Sequence, residues 1–530
     1  MTSSATPCGR VPRVFPAHPS ERWRTEGIKQ QRQLAIAPES TARNKALQCI
    51  ELPHHIEPLH TGRLTLETRI PTLLDLPCCD GNARVLSRRK LLSMLARGAL
   101  AYPFAKAGLY GAELKKLSRQ TQAVPPDGRL TDDELLEEIV SRGFLFFWYE
   151  ADPRTGLVRD RALADGTPDG RRVASIAATG FGLAALCIGH RRGYLPPHQI
   201  GTRVVKTLRF LLYHLEHVNG FFYHFLDMET GKRARFSEIS PIDTTILLCG
   251  ALMAREYFND AQISQLVDAI YRRVNWRWML NGGETFAMGW TPEYKFIGAR
   301  WDTYCELMMM YLLAIGAPAY NISPSSWNAF SRPMMEFEGY SYISGADPLF
   351  VHQYSHAWFD FRNVRDPYAN YFQNSAVATY AHKLFCLSLR WRFPDYDENT
   401  WGVTASDSRL GYQAWGGPPE IGYIDGTVVP CAAAGSLPFL PKETTAVMAN
   451  LYNNYGQRAW KRYGFVDAFN PRTAWTDVDV IGIDQGISML MVENYRTGFI
   501  WENFMKGHEA QHAMKLVGFQ PTEQTAAQRR

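Results

Sequence analysis

The stretch "ASIAATGFGLAALCIGH", residues 174–190, is apolar almost all the way round a helix. A helix with no polar face has to be enclosed by other elements rather than lie on a surface. The segments 241–256 and 302–315 read the same way, whereas 131–150, 196–217 and 260–276 keep one polar side. Enclosed and half-enclosed segments therefore alternate along the chain.

Further helical spacing occurs at 323–335, 371–390, 428–436, 441–457, 484–496 and 498–509, with 173–191 spanning the opening stretch. Several segments begin on capping residues, such as Thr131 three before Glu134 and Ser240 ahead of Pro241. Twelve helices can close as six hairpins into a double ring, so the expected fold class is all-α, an (α/α)6 barrel. Sustained strand alternation is scarce, and pieces such as "GFFYHFLD" suit hairpins in loops. The Trp/Tyr/Gly-rich connections 277–301, 336–370 and 391–427 are too long to be simple turns, and are expected to build the functional face.

Composition narrows the function. The chain has 530 residues, 46% apolar and 13% aromatic, with 14 Trp and 25 Tyr. Its formal charge of +5 is unevenly spread: residues 1–120 carry 19 Lys/Arg against 9 Asp/Glu, leaving a slightly acidic body. Such a body, without a basic stripe, points away from nucleic acid. No apolar run reaches 18 residues, so no stable membrane insertion is expected. Of nine Cys, five stand singly in apolar runs (Cys187, Cys249, Cys305, Cys386, Cys431) and read as buried thiols; no C-x-x-C occurs.

Residues 1–86 lack periodicity and read as a disordered or mis-annotated extension. At 87–107, "SRRKLLSMLARGALAYPFAKA" resembles a twin-arginine export signal, which would place the protein in the periplasm or outside the cell. Its internal position fits a true start near Val85 or Leu86; an unused signal would leave the protein cytoplasmic. Residues 108–130 read as a linker, 131–509 as the helical domain and 510–530 as a polar tail.

The chemistry rests on carboxylates. Glu306 and Asp243 fall in the first turn of apolar helices, and Asp484 in "GIDQG" falls at the start of another. Parallel inner helices would bring all three into one cleft, where glycosidic cleavage needs two carboxyl groups. Capping is the competing explanation, through Thr303-x-x-Glu306, Ser240-Pro241-x-Asp243 and Asp484 as N-cap. Glu238, Trp301, His352, His356, Asp360, Arg362, Asp407, Trp415 and Asp425 are the expected substrate contacts, pairing hydrogen-bonding groups with rings for sugar faces. His352 and His356 stand four apart but without the glutamate of a zinc-protease motif, so no metal is expected. Walker A, Rossmann and G-x-S-x-G patterns are absent.

Together the blocks "RFSEISPIDTTILLCGAL", "WDTYCELMMMYLLAIGAP", "DPLFVHQYSHAWFDFRN", "WGVTASD", "YGFVDAFNP" and "GIDQGISMLMVENYRTGFIW" resemble the bacterial glucoamylase-like domain family. Characterised relatives include the endo-β-1,2-glucanases of glycoside hydrolase family 144. The resemblance implies an (α/α)6 barrel, inversion at the anomeric carbon, a glucan oligo- or polysaccharide substrate and no cofactor. It supports Glu306 as general acid; Asp484 is the chosen base, with Asp243, Glu238 and Asp407 as competitors. Pro241 stands where relatives often have a small polar residue. Two other readings are a polysaccharide lyase on the same toroid and a non-catalytic glycan-binding protein.

Overall fold

The computed structural model describes residues 129–345, 348–418 and 424–522. The export-signal segment 87–107 and the extension 1–86 lie outside the described residues. Fifteen α-helices occur among the described residues: α1 Asp132–Tyr149, α2 Ile176–Arg191, α3 Pro197–Tyr213, α4 Pro241–Phe258, α5 Ala261–Arg272, α6 Trp276–Met279, α7 Met308–Gly316, α8 Ser326–Ala329, α9 Tyr354–Trp358, α10 Tyr371–Ser388, α11 Pro430–Ala434, α12 Pro441–Ala459, α13 Gly482–Thr497, α14 Phe499–Phe504 and α15 His508–Leu516.

The sequence alternation becomes an alternation of outer and inner helices. Helices α1, α3, α5, α8, α10 and α12 precede α2, α4, α7, α9, α11 and α13 respectively, giving the six hairpins of an (α/α)6 toroid. All nine residues of α7 are buried, as are fourteen of the sixteen in α2. In α3 and α5 burial is confined to one stripe, Ile200–Val204–Thr207–Leu208–Leu211 and Ile263–Leu266–Val267–Ile270–Tyr271. That stripe is what an outer ring requires. Pro241 occupies the first turn of α4, where its missing N–H costs nothing, with Ser240 as cap.

The inner helices α2 and α4 cross backbone to backbone. A Cβ on Gly250 would lie 1.9 Å from the Gly180 carbonyl oxygen, and one on Gly180 would lie 2.4 Å from the Ile246 oxygen. Neither obstacle is a side-chain tip that could swing away. Gly250→Ala should therefore destabilise the fold by about 3 kcal/mol through overpacking, read as a lowered midpoint in denaturant unfolding; an unmoved midpoint would show that the crossing is loose.

Several expectations about elements change; the helix expected over 302–315 begins only at Met308, so Glu306 precedes it rather than lying in its first turn. The helix expected over 323–335 stops at Ala329, because Pro333 lacks the N–H to continue it, and Met334–Phe337 pairs with Tyr340–Ile343 as a hairpin. Its two-residue turn, Glu338 and Gly339 with φ of 49° and 80°, has the left-handed geometry that matches strand twist. Conversely, 349–358 is no loop: a 3₁₀ turn, Leu349–His352, runs into α9. Finally, the tail expected from 510 begins inside α15, which buries Ala510, Ala513 and Met514, and Gln520–Pro521 pairs with Val364–Arg365. Asp347 lies outside the described residues.

Short strands matter for placement. Arg161–Leu163 pairs antiparallel with Asp479–Ile481, immediately before α13. Val173–Ser175 pairs with Phe225–Asp227, which fixes the chain at His224 beside the start of α2.

Candidate active site

Five inner helices bring their N-terminal ends together. Asp243 lies in the first turn of α4, Glu306 two residues before α7, Tyr354 at the start of α9, Cys431 in α11 and Asp484 in the first turn of α13. Burial and, to a smaller degree, the charge of Asp243 raise the pKa of Glu306, and both Glu306 and Asp484 act on Tyr354, so these groups are electrostatic neighbours. Acids separated by up to 241 positions in the chain thus meet because successive inner helices run the same way.

Capping explains one of the three expected acids and leaves two free. Asp243 takes part in a cap: its N–H donates to Ser240 Oγ at 3.2 Å, and the Ser240 hydroxyl donates back to Asp243 Oδ2 at 2.5 Å. No such pair forms at Glu306. The cap of α7 is Leu307, without a side-chain bond, and Thr303 contacts Asp302 and Ser331 instead. Ile481, not Asp484, occupies the cap position of α13.

Glu306 is walled by protein yet keeps a solvent-accessible edge. Removal from bulk water disfavours its charged form and raises its pKa from 4.5 to about 7, with Asp243 adding to the effect and the Cys305 thiol opposing it. At pH 6.5 about three quarters of the molecules would carry this proton, against about one in a hundred for an ordinary glutamate. A second ion cluster adjoins it. His224 Nδ1 is 3.1 Å from Glu238 Oε1 and Nε2 is 3.7 Å from Asp243 Oδ1, and the ring stacks on Phe225 at 3.8 Å. Burial works against the imidazolium, but Asp243 and then Glu238 hold its pKa up at about 9. His224 lies in "GFFYHFLD", where sequence spacing alone gave no reason to single it out.

Asp484 anchors a second group of acids. Burial raises its pKa to about 6, while hydrogen bonds with Asp467 and the Cys431 thiol counteract that rise. Asp407 and Arg161 act on it, and Arg161 pairs with both Asp160 and Asp407. Desolvation pushes Asp477 up to about 7. Asp467, from "YGFVDAFNP", and Arg161, from the first strand, are the contributors that the sequence did not reveal. Oxygen atoms of Asp407, Asp467 and Asp477 lie within 4.8 Å of one another, as do ligand atoms of His224, Glu238 and Asp243.

Several expected substrate contacts lie elsewhere. His352 and His356 are 2% and 1% exposed, packed among Tyr304, Tyr342, Phe361 and Phe439. Desolvation drives both rings down to about 3, so they are neutral core residues with no edge for a sugar hydroxyl. The reason is the helix α9, which turns that loop-like stretch inward. Asp360 and Arg362 follow its C-terminal end, where Arg362 forks onto Asp360 and lies over Trp501 at 4.1 Å. Trp415 is buried, its indole N–H donating to Ser406 Oγ at 3.1 Å. Asp425 closes a turn through the Thr427 N–H at 2.9 Å. Trp301 is half-buried on a short strand, with its indole N–H 3.4 Å from the Met288 carbonyl. Glu238, Asp243 and Asp407 do join the acid-lined space. Of the five single Cys, Cys305 is part-exposed beside Glu306 and the other four are buried.

A separate concavity lies elsewhere on the described residues. A hollow of about 1150 Å³ opens near Asp132, Arg192, Lys442, Glu493 and Arg496. It lies at the C-terminal end of α13, nine or more residues from Asp484, hence about 14 Å along the helix. Two of its three arginines are already paired, Arg192 with Glu137 and Glu493, and Arg496 with Glu137 and Asp133, while Arg191 lies over the Phe499 ring at 4.5 Å.

Comparison with known proteins follows the geometry. The family model described as "Putative glucoamylase" matches residues 298–508. An exo-β-1,2-glucooligosaccharide sophorohydrolase (non-reducing end) of Parabacteroides distasonis is 29% identical over 432 residues, 73% of this chain. The match spans only 58% of that relative's length. An endo-β-1,2-glucanase from Chitinophaga pinensis, solved with sophorotriose and glucose, superposes with a TM-score of 0.69 at 29% identity, covering 74% of this chain and 99% of that one. A structure described as a putative glucoamylase from Bacteroides uniformis gives 0.70 at 29% identity, covering 74% and 98%. Residues 298–508 are thus similar to this glucoamylase-like family, and the solved relatives at 29% identity share the helical toroid of this chain.

Proposed function

We propose that this protein is a glycoside hydrolase that cleaves β-1,2-glucan with inversion at the anomeric carbon. The observation that carries the reading is Glu306, an uncapped and part-accessible carboxyl with a pKa of about 7, which like Asp484 acts on Tyr354 between the inner-helix starts. Glu306 protonates the glycosidic oxygen as the bond breaks, and Asp484 takes the proton from the attacking water. His224, Glu238 and Asp243 form a charged cluster beside the acid, where burial, with the charge of Asp243 adding to it, keeps the Glu306 proton in place. The substrate follows from the relatives, whose names specify β-1,2-linked glucans. An acid-lined cleft disfavours the lyase reading, because a uronate substrate calls for cationic surroundings.

The deciding experiment is a panel of linear and cyclic glucans of different linkage, with products sized and their anomeric form followed by NMR. The expected result is cleavage of β-1,2-glucan with release of the α-anomer first. Release of the β-anomer would show retention, and cleavage of other linkages alone would overturn the substrate.

The pH dependence follows from two directions. Asp484 must be ionised, so activity rises as pH passes about 6; Glu306 must be protonated, so activity falls as pH passes about 7. The profile of kcat/KM should be a narrow bell centred between those values. A plateau extending to pH 9 would remove Glu306 from the acid role.

Export by the twin-arginine route is proposed from Arg88 and Arg89 within the 87–107 segment. Protease protection of a tagged full-length chain tests it: an uncleaved chain that stays in the cytoplasm refutes export.

A further inference from the structure

Asp467 is 3% exposed, and the surrounding backbone fixes it tightly. The N–H of Asp407 donates to its Oδ2 at 2.7 Å, and its own N–H donates to the Asp479 carbonyl at 3.0 Å. Its other oxygen, Oδ1, is buried with no N–H or O–H donor, and so is Oδ2 of Asp484, although the two carboxyl groups are hydrogen-bond neighbours. Two carboxylates cannot satisfy one another without a proton between them, and an orphaned buried oxygen is costly.

The surroundings decide which partner keeps that proton. Asp484 stands in the first turn of the 16-residue helix α13, whose N-terminal dipole favours an anion, and it also receives the Cys431 thiol. Asp467 lies outside any helix and faces Asp484, Asp407 and Asp477, with Arg161, Tyr354, Tyr412 and Cys431 as the other ionisable groups around the pair. Arg161 is committed to Asp160 and Asp407. We propose that Asp467 is the positioning residue of the general base: it stays protonated and donates its O–H to Asp484, holding that carboxylate ionised and in one orientation. This rests on the reading of Asp484 as base. Burial and the neighbouring carboxylates, which push the Asp467 pKa well above its ordinary value, agree with it.

The test uses the full chain on β-1,2-glucan, comparing wild type, Asp467→Ala and Asp467→Asn across pH. Losing a hydrogen bond to a charged group should move the acid limb of kcat/KM upward by about one pH unit in Asp467→Ala. Asp467→Asn keeps an N–H donor, so its limb should stay near the wild-type position. Infrared difference spectra at pH 7 supply a readout independent of turnover. The wild type should show a protonated-carboxyl stretch that Asp467→Asn lacks, and this comparison stands even where Asp467→Ala does not fold. Identical limbs in all three proteins, or no lost band, would overturn the proposal. So would an acid limb that moves on chelation and returns with calcium, since a cation among Asp407, Asp467 and Asp477 would then hold the pair. Full turnover by Asp484→Asn would instead remove the base assignment, with the infrared band still deciding whether Asp467 holds the proton.

Discussion

Glu306→Gln should lose roughly 10³-fold in kcat on β-1,2-glucan while still binding it, because the amide preserves shape but has no proton to give. The loss should depend on the leaving group. An aryl sophoroside with an acidic phenol departs without protonation, so Glu306→Gln should hydrolyse it at nearly the wild-type rate. Stability separates chemistry from misfolding. The folded-state pKa of Glu306 lies above its ordinary value, so the folded state holds this proton more tightly than the unfolded chain does. The associated stability is fully present below about pH 4.5 and is lost as pH rises through about 7. Glutamine never ionises, so at pH 8 the variant should melt no lower than wild type. Equal loss on activated and natural substrates would remove the acid role; no wild-type turnover on any glucan would favour the binding-protein reading.

Asp484→Asn should cost roughly 10²–10⁴-fold in kcat on natural and activated substrates alike. Water must still be deprotonated whichever leaving group departs, so a good phenol cannot rescue this variant. The contrast between the two variants assigns acid and base in a single set of assays. Should Asp484→Asn remain active while Asp407→Asn does not, the base would move to Asp407, which is part-exposed in the same group of acids. The acid limb of the pH profile offers a second check, since it belongs to Asp484 and should be absent from the residual activity of Asp484→Asn.

The parts of the candidate site legible in the sequence were those whose chemistry opposed their local pattern. Glu306 stands before a helix with nine buried residues, and Asp484 opens another, so each carboxylate called for an explanation. The same reasoning misplaced His352 and His356. A polar residue among aromatics fits a sugar site and a packed core equally well until α9 turns those side chains inward. Trp415 failed for a related reason, because a Gly/Pro-rich context suggests a surface whereas the chain there folds back over the core. His224, Arg161 and Asp467 carried no local anomaly at all; each sits in a short irregular stretch whose importance comes from what packs beside it.

The order of enclosed and half-enclosed helices was written into the chain, because a helix apolar on every side can be stable only inside a ring of others. Periodicity is a local property, and it marked five of the six inner helices, including those near whose starts Asp243, Glu306 and Asp484 occur, while the short inner helix α9 read as loop. Proton affinity is not local. Which acid keeps its proton depends on desolvation and on charges contributed by residues hundreds of positions away, and only the closed toroid brings those together.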